Sequence, residues 1–167
     1  MPVTLNARIK DDGADTALAR LAGRLIDRQP AMDEIGAELQ ASTHQRFREQ
    51  RGPDGERWQA LAPATLLGRA GKKARTKSGG FTKRARTRMD NAKILRDTGE
   101  LFQSISFQAS PSRVAVGTNK RYAAIHQFGG KAGRDGTTRI PARPFLGIAE
   151  ADRQMITDVL TRHLEGR

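Results

Sequence analysis

Hydrophobic residues first recur at helical spacing between Ala14 and Arg28, where Leu18, Leu21, Leu25 and Ile26 fall mostly three and four apart. Arg20, Arg24 and Asp27 take the wetted side. Pro30 suits the first turn of a second helix, where its missing N–H removes no hydrogen bond, and Asp33 and Glu34 follow near the positive end of that helix dipole. Met32, Ile35, Leu39 and Phe47 outline its buried face. Arg46, Arg48 and Arg51 crowd its last turns, and Gly52-Pro53 ends it. Two adjacent amphipathic helices with a short connection predict an antiparallel pair.

Pro53-Asp54-Gly55 predicts a turn. Trp58, Leu61, Leu66 and Leu67 then return apolar groups to the body on a loop or short helix around Pro63. From Gly68 to about Arg88 the periodicity vanishes and Gly71, Gly79 and Gly80 add chain entropy, so a stretch left mobile until a partner orders it is expected. Asp97-Thr98-Gly99 offers a cap to a helical turn holding Leu101, Phe102 and Ile105. Ser104 to Ala109 alternates as a half-buried strand does, Pro111-Ser112 turns the chain, and Arg113 to Gly117 reads as the return strand of a hairpin. Tyr122 to Phe128 predicts a short helix closed by Gly129-Gly130, followed by a charged, Gly-rich loop from Lys131 to Thr138. Arg139-Ile140 starts a strand that Pro141 and Pro144 confine to a sheet edge. Ile148, Met155, Ile156, Val159, Leu160 and Leu164 mark a closing helix. This order predicts one α+β domain over residues 1–167. It has a small antiparallel sheet with two N-terminal helices and a C-terminal helix packed on it, plus a long basic loop.

Charge sharpens that last feature. The 167 residues carry 30 Lys/Arg against 18 Asp/Glu, net +12, but residues 69–93 alone hold ten bases and one acid. The chain reads as a modest globular body interrupted by a basic, flexible insertion or arm at 69–93. Arg69, Lys72, Lys73, Arg75, Lys77, Lys83, Arg84, Arg86 and Arg88 are the candidates there for binding nucleic acid or an acidic partner. Phe81 is the lone aromatic, so base stacking along a single strand is poorly supported, and no helical pattern is present to read a groove. Three readings stay open: salt-dependent attraction to a nucleic-acid backbone, docking on an acidic protein surface, or a solvated tether.

Composition excludes more chemistry than it offers. Without Cys there is no disulfide scaffold, thiolate zinc site or Cys nucleophile. No apolar run approaches the ~20 residues of a membrane span, and Met1 to Asp15 is too polar for a secretory signal, so a soluble intracellular product is expected. His44, His126 and His163 fall in no metal-ligand spacing. His44 and His163 sit on amphipathic helices at the boundary between buried and wetted faces, where a partly exposed helix residue is favoured over catalysis, and for His126 packing or hydrogen bonding is favoured over acid–base work. Asp11-Asp12 and Asp33-Glu34 lie at helix starts, where the dipole accounts for them. Gly68 to Lys73 lacks the glycine gap and closing hydroxyl of a phosphate loop. No enzymatic constellation, metal site or cofactor is expected.

Four segments in fixed order are more telling. They are Gly55-Glu56-Arg57-Trp58-Gln59-Ala60-Leu61; Ile94-Leu95-Arg96-Asp97-Thr98-Gly99-Glu100-Leu101 with Ser104-Ile105; Tyr122-Ala123-Ala124-Ile125-His126-Gln127-Phe128-Gly129-Gly130; and Ile140-Pro141-Ala142-Arg143-Pro144-Phe145-Leu146-Gly147. Together they resemble the hallmarks of the phage virion morphogenesis family, the tail-completion and head–tail joining proteins of tailed bacteriophages. The resemblance implies a structural virion protein, not an enzyme. It would be assembled in the host cytoplasm and act at the neck, within a homo-oligomeric ring around the DNA channel. Its expected partners are further copies of itself, sixfold because contractile-type tails are sixfold, neighbouring tail and connector proteins, and DNA in the channel. A capsid-assembly factor of the same phage is the nearest rival. A nonspecific nucleic-acid-binding protein acting through 69–93 is another.

The motif residues also carry physical expectations of their own. Gly129 and Gly130 permit a tight reversal. Pro141 and Pro144 stiffen an edge segment, and Arg143 between them is placed to grip a carboxylate on a neighbour. Phe128 and Phe145 are core anchors first and interface residues second. An edge from Arg139 to Phe145 is one that a ring could use to pair subunits. The candidate interface is therefore His126, Gln127, Phe128, Gly129, Gly130, Arg139, Pro141, Arg143, Pro144 and Phe145.

Overall fold

The computed structural model describes residues 12–71, 73–133 and 135–166. The N-terminal reading up to Asp11, the Asp11 half of its acidic pair and the cation Lys72 lie outside the described residues. The elements are helix α1 (Asp12–Ile26), α2 (Gln29–Glu49), α3 (Pro63–Ala70), α4 (Lys83–Asp90), the single turn α5 (Glu100–Gln103), strands β1 (Ser106–Ser110) and β2 (Arg113–Gly117), α6 (Ala123–Phe128), β3 (Gly130–Ala132), β4 (Thr138–Ile140) and α7 (Glu150–Glu165). The fold is α+β. Its antiparallel content is divided between two hairpins, β1–β2 and β3–β4, rather than gathered in one sheet. β1 and β2 pair from Ser106 opposite Gly117 to Ser110 opposite Arg113.

Helix α2 is the spine because both of its sides are covered. One side meets the first hairpin so closely that a Cβ at Gly36 would run into the Phe107 ring. Ala31 and Ile35 meet Val159 of α7 in an aliphatic cluster that Met32, Leu39, Val114 and Met155 extend. At its C-terminal end Phe47, fully buried, sits 5.5 Å from Trp58, 5.8 Å from Phe102 and 5.3 Å from Phe145 between ring centres. Removing a Phe from such a site typically costs about 3–5 kcal/mol. Beside this cluster Arg46 and Asp152 form a buried ion pair. Arg46 Nη1 also donates to the carbonyls of Phe145 (3.1 Å) and Gly147 (2.8 Å), and Asp152 accepts the Ala149 N–H at the start of α7 (2.7 Å).

Three expectations are corrected. The predicted pairing of the first two helices does not form: α1 lies along the end of α7, with Arg24 Nη1 donating to Leu164 O at 2.8 Å, and leaves Leu18, Leu25 and Ile26 exposed. Periodicity reports that a helix has an apolar face, not which element that face meets. Helix α2 ends at Glu49, capped by Gln50 in the left-handed conformation at φ 57°, two residues before Gly52-Pro53. Its side-chain oxygen accepts the Ile94 N–H at 2.9 Å.

The third correction concerns the basic stretch, which carries regular structure where a loop is expected. Thr82 caps α4 by accepting the Ala85 N–H at 3.2 Å. Arg75 bridges to Phe81, and the turn between them closes through Thr76 N–H to Gly80 O at 2.7 Å. Ala70, Ala74 and Ala85 are buried together under Phe81 and Met89. The pattern hid this because alanines scarcely register as a hydrophobic period, while the cations around them dominate the composition.

Candidate functional site

The four motif segments, spread over more than ninety residues, meet in one place. Trp58 Nε1 donates to Pro144 O at 2.8 Å. Arg143 donates from Nε to Gln59 O (2.9 Å) and from Nη2 to Ala60 O (3.1 Å). The Gln127 side-chain oxygen accepts the N–H groups of both Phe145 and Leu146 at 3.0 Å, while its amide nitrogen donates to Leu146 O at 2.8 Å. Arg143 N–H adds a bond to His126 O at 2.7 Å. Leu101 and Ile105 of the second segment are buried in the same aromatic cluster as Trp58 and Phe145. The Pro-Ala-Arg-Pro-Phe-Leu run is thus a strap fastened across α6 and the Trp58 loop. It needs Gly129, at φ 72°, because a Cβ there would press on the Ala142 backbone nitrogen.

All four segments also line a cleft of about 400 Å³. Leu61, Leu95, Leu101, Ile140 and Pro141 give it apolar walls, and Arg69, Arg139, Arg143 and His126 give it polar ones. Leu95 holds a left-handed backbone at φ 57°, an uncommon state for a leucine. Arg69 spans to the loop before α5, with Nη1 donating to Lys93 O at 2.7 Å and Nε lying 3.3 Å from Asp97 Oδ1. The Nε of Arg69 and the Nδ1 of His126 are buried and make no hydrogen bond within the described residues. Burial, and then the nearby charge of Arg143, push the His126 imidazole below its ordinary range and favour its neutral form. Burial and the Arg69 charge likewise lower Arg143. Positive groups are gathered here at some electrostatic cost.

The sequence-nominated residues divide. His126, Arg139, Pro141 and Arg143 line the cleft, and Gln127, Pro144 and Phe145 secure the strap beneath it. Two nitrogens of Arg143, Nε and Nη2, are turned inward onto carbonyls of its own chain, so they do not serve the expected grip on a neighbour's carboxylate. The Arg143–Leu146 backbone is likewise engaged internally rather than left as an open strand edge. Phe145 is fully buried, as a core anchor should be, whereas Phe128, expected beside it in the core, is 79% exposed next to Gly129 and Gly130. Asp97, Thr98, Glu100 and Tyr122 also line the cleft; they stood in the quoted motifs, yet nothing in their spacing marked Asp97 as facing Arg69.

The basic unit is a second, separate surface. Lys73, Arg75, Lys77, Lys83, Arg84, Arg86 and Arg88 are exposed, and Arg69 is half-buried at its base. Arg75 stacks its guanidinium 5.1 Å from the Phe81 ring centre. Among the described residues no group of His, Asp and Glu is arranged to hold a metal ion, and no helix is long and apolar enough to cross a membrane.

Comparison with known proteins places these features in context. The family model for the phage virion morphogenesis family matches residues 9–165. A stretch of 64 residues, 38% of the chain, is 50% identical to the Mu-like prophage FluMu G protein 2 of Haemophilus influenzae and spans 46% of that protein's length. The putative capsid assembly protein G of Escherichia phage Mu is 31% identical over 153 residues, covering 81% of this chain and 87% of its own. The tail completion protein S of Escherichia phage P2 is 28% identical over 139 residues, covering 79% and 81%. No solved structure matches.

Proposed function

The chain belongs to the phage virion morphogenesis family, and we propose that it is a non-enzymatic virion component that completes the tail and joins it to the head at the neck. In this reading several copies, six by the symmetry of contractile tails, form a ring around the DNA channel. The observation that carries it is the match to a tail completion protein across four-fifths of both chains. The strap and cleft support it as well: they are built of the motif residues, and their bonds hold a shaped surface rather than a set of reactive groups. The basic unit would then face DNA in the channel or acidic surfaces of neighbouring proteins.

A second reading is favoured by the similarity to a putative capsid assembly protein. Interrupting the gene in its phage separates the two. Full heads lying beside finished, unattached tails in electron micrographs are the outcome expected of tail completion. Missing or malformed heads would mean capsid assembly instead, and normal infectious particles would overturn both.

A further inference from the structure

We infer that the cleft at the junction of the four motifs is a socket for a protein carboxylate, an Asp or Glu flanked by aliphatic side chains on a segment of a neighbouring virion protein. Naming a virion protein as the donor rests on the assembly reading; the carboxylate chemistry does not. The cleft is small and mixed in character. Its apolar walls suit a Leu or Ile side chain, while Arg69, Arg139 and Arg143 line it from three different segments, Arg143 with its Nε and Nη2 already given to the Gln59 and Ala60 carbonyls. Two acids line it as well, and each is already paired. Asp97 is already beside Arg69, Glu100 is bound by Lys120 at 2.9 Å, and both carboxylates are more than half exposed.

His126, which lines this site, has a buried Nδ1 that makes no hydrogen bond with the described residues, while Arg69 Nε already faces Asp97 Oδ1 at 3.3 Å. An unmade buried hydrogen bond is costly, and a carboxylate oxygen could accept one from Nδ1–H. On the adjoining hairpin Lys131 stands directly opposite Arg139, a like-charge pair that disfavours the ladder until an anion approaches. Burial of Arg143 within reach of the Arg69 charge acts in the same direction, since closely set cations are stabilised by an incoming negative group. A nucleic-acid phosphate is the poorer fit. It is hydrophilic on all sides, whereas six aliphatic or prolyl residues line this cleft, and the exposed cations of 73–88 offer a backbone a far more accessible row.

The test uses the full chain, isotope-labelled, titrated with acetyl-leucyl-aspartyl-leucinamide, its asparaginyl counterpart and inorganic phosphate. The His126 ring and Arg69 Nε–H signals are followed by NMR. Saturable shifts with the aspartyl peptide, at least tenfold weaker with the asparaginyl one, are expected. Arg139→Gln, an exposed position whose loss should leave the circular dichroism unchanged, is expected to weaken binding several-fold. Equal binding of both peptides, saturation of the same signals by phosphate, or no saturation up to about 10 mM peptide would overturn the socket. The assembly reading fails separately: a chain that binds the peptide but is dispensable for making infectious particles keeps the socket and loses the virion role.

Discussion

The body and the basic unit of this molecule are ordered by different means. In the body, Phe47 gathers Trp58, Phe102 and Phe145 from distant segments, and Arg46 reaches across more than a hundred residues to Asp152. Its contacts are long-range, large in area and shared among elements, so losing one disturbs many. In the basic unit three alanines, Phe81 and Met89 are the core. A buried methyl contributes less than about 1 kcal/mol, so backbone bonds such as Thr82 N–H to Ala74 O at 2.8 Å must do much of the holding. About half of the remaining side chains there are exposed cations. One region commits its sequence to a shape, and the other keeps just enough shape to present charge.

The sharpest way to break that contrast is to strike the body where it is most interdependent. Asp152→Ala strands the Arg46 guanidinium among buried groups and also removes the acceptor for the Ala149 N–H at the head of α7. The expected loss is about 3–5 kcal/mol of unfolding free energy, read by chemical denaturation. The strap should loosen with it, because Arg46 also holds the carbonyls of Phe145 and Gly147. A loss near zero would mean that the body is not the cooperative unit described.

How much of this was legible beforehand depends on the range of the interactions concerned. The β1–β2 hairpin, α6 and α7 are written in local alternation, turn residues and helical period, and each forms close to where its pattern ends. The four motif segments could be picked out one at a time. Their convergence could not, since Trp58 to Pro144 and Arg143 to Gln59 are bonds to backbone carbonyls, which every residue possesses. The same blindness put Phe128 in the core and turned Arg143 outward. Helix α4 escaped for the opposite reason: its order is local, but it rests on alanine and a threonine cap, signals too weak to stand out among ten bases.

A smaller effect sharpens the comparison from the other side. Thr82→Ala removes the side-chain oxygen that accepts the Ala85 N–H at the start of α4, worth about 1 kcal/mol for such caps. Because α4 packs mainly on α3, the loss should appear as faster amide exchange within residues 83–90, with little change in the denaturation midpoint of the body. Equal acceleration of exchange in α2 and α7 would instead join the two regions into one cooperative structure.

The smallest expected change in stability falls on the side chains with the greatest expected effect on partners. Lys83, Arg84 and Arg86 are exposed on α4, and among the described residues no ion pair ties them to the body. Converting all three to Gln should move stability by no more than about 0.5 kcal/mol per site, and relief of mutual repulsion should make part of that change favourable. If the row contacts a nucleic-acid backbone, binding to an arbitrary DNA duplex should weaken and its logarithmic salt slope should fall by roughly one for each lost contact. If the row instead meets acidic protein surface, duplex binding is already weak in the parent chain and the substitutions show themselves only in particle assembly. A large drop in stability would contradict both outcomes, because it would make these cations part of the scaffold rather than cargo displayed upon it.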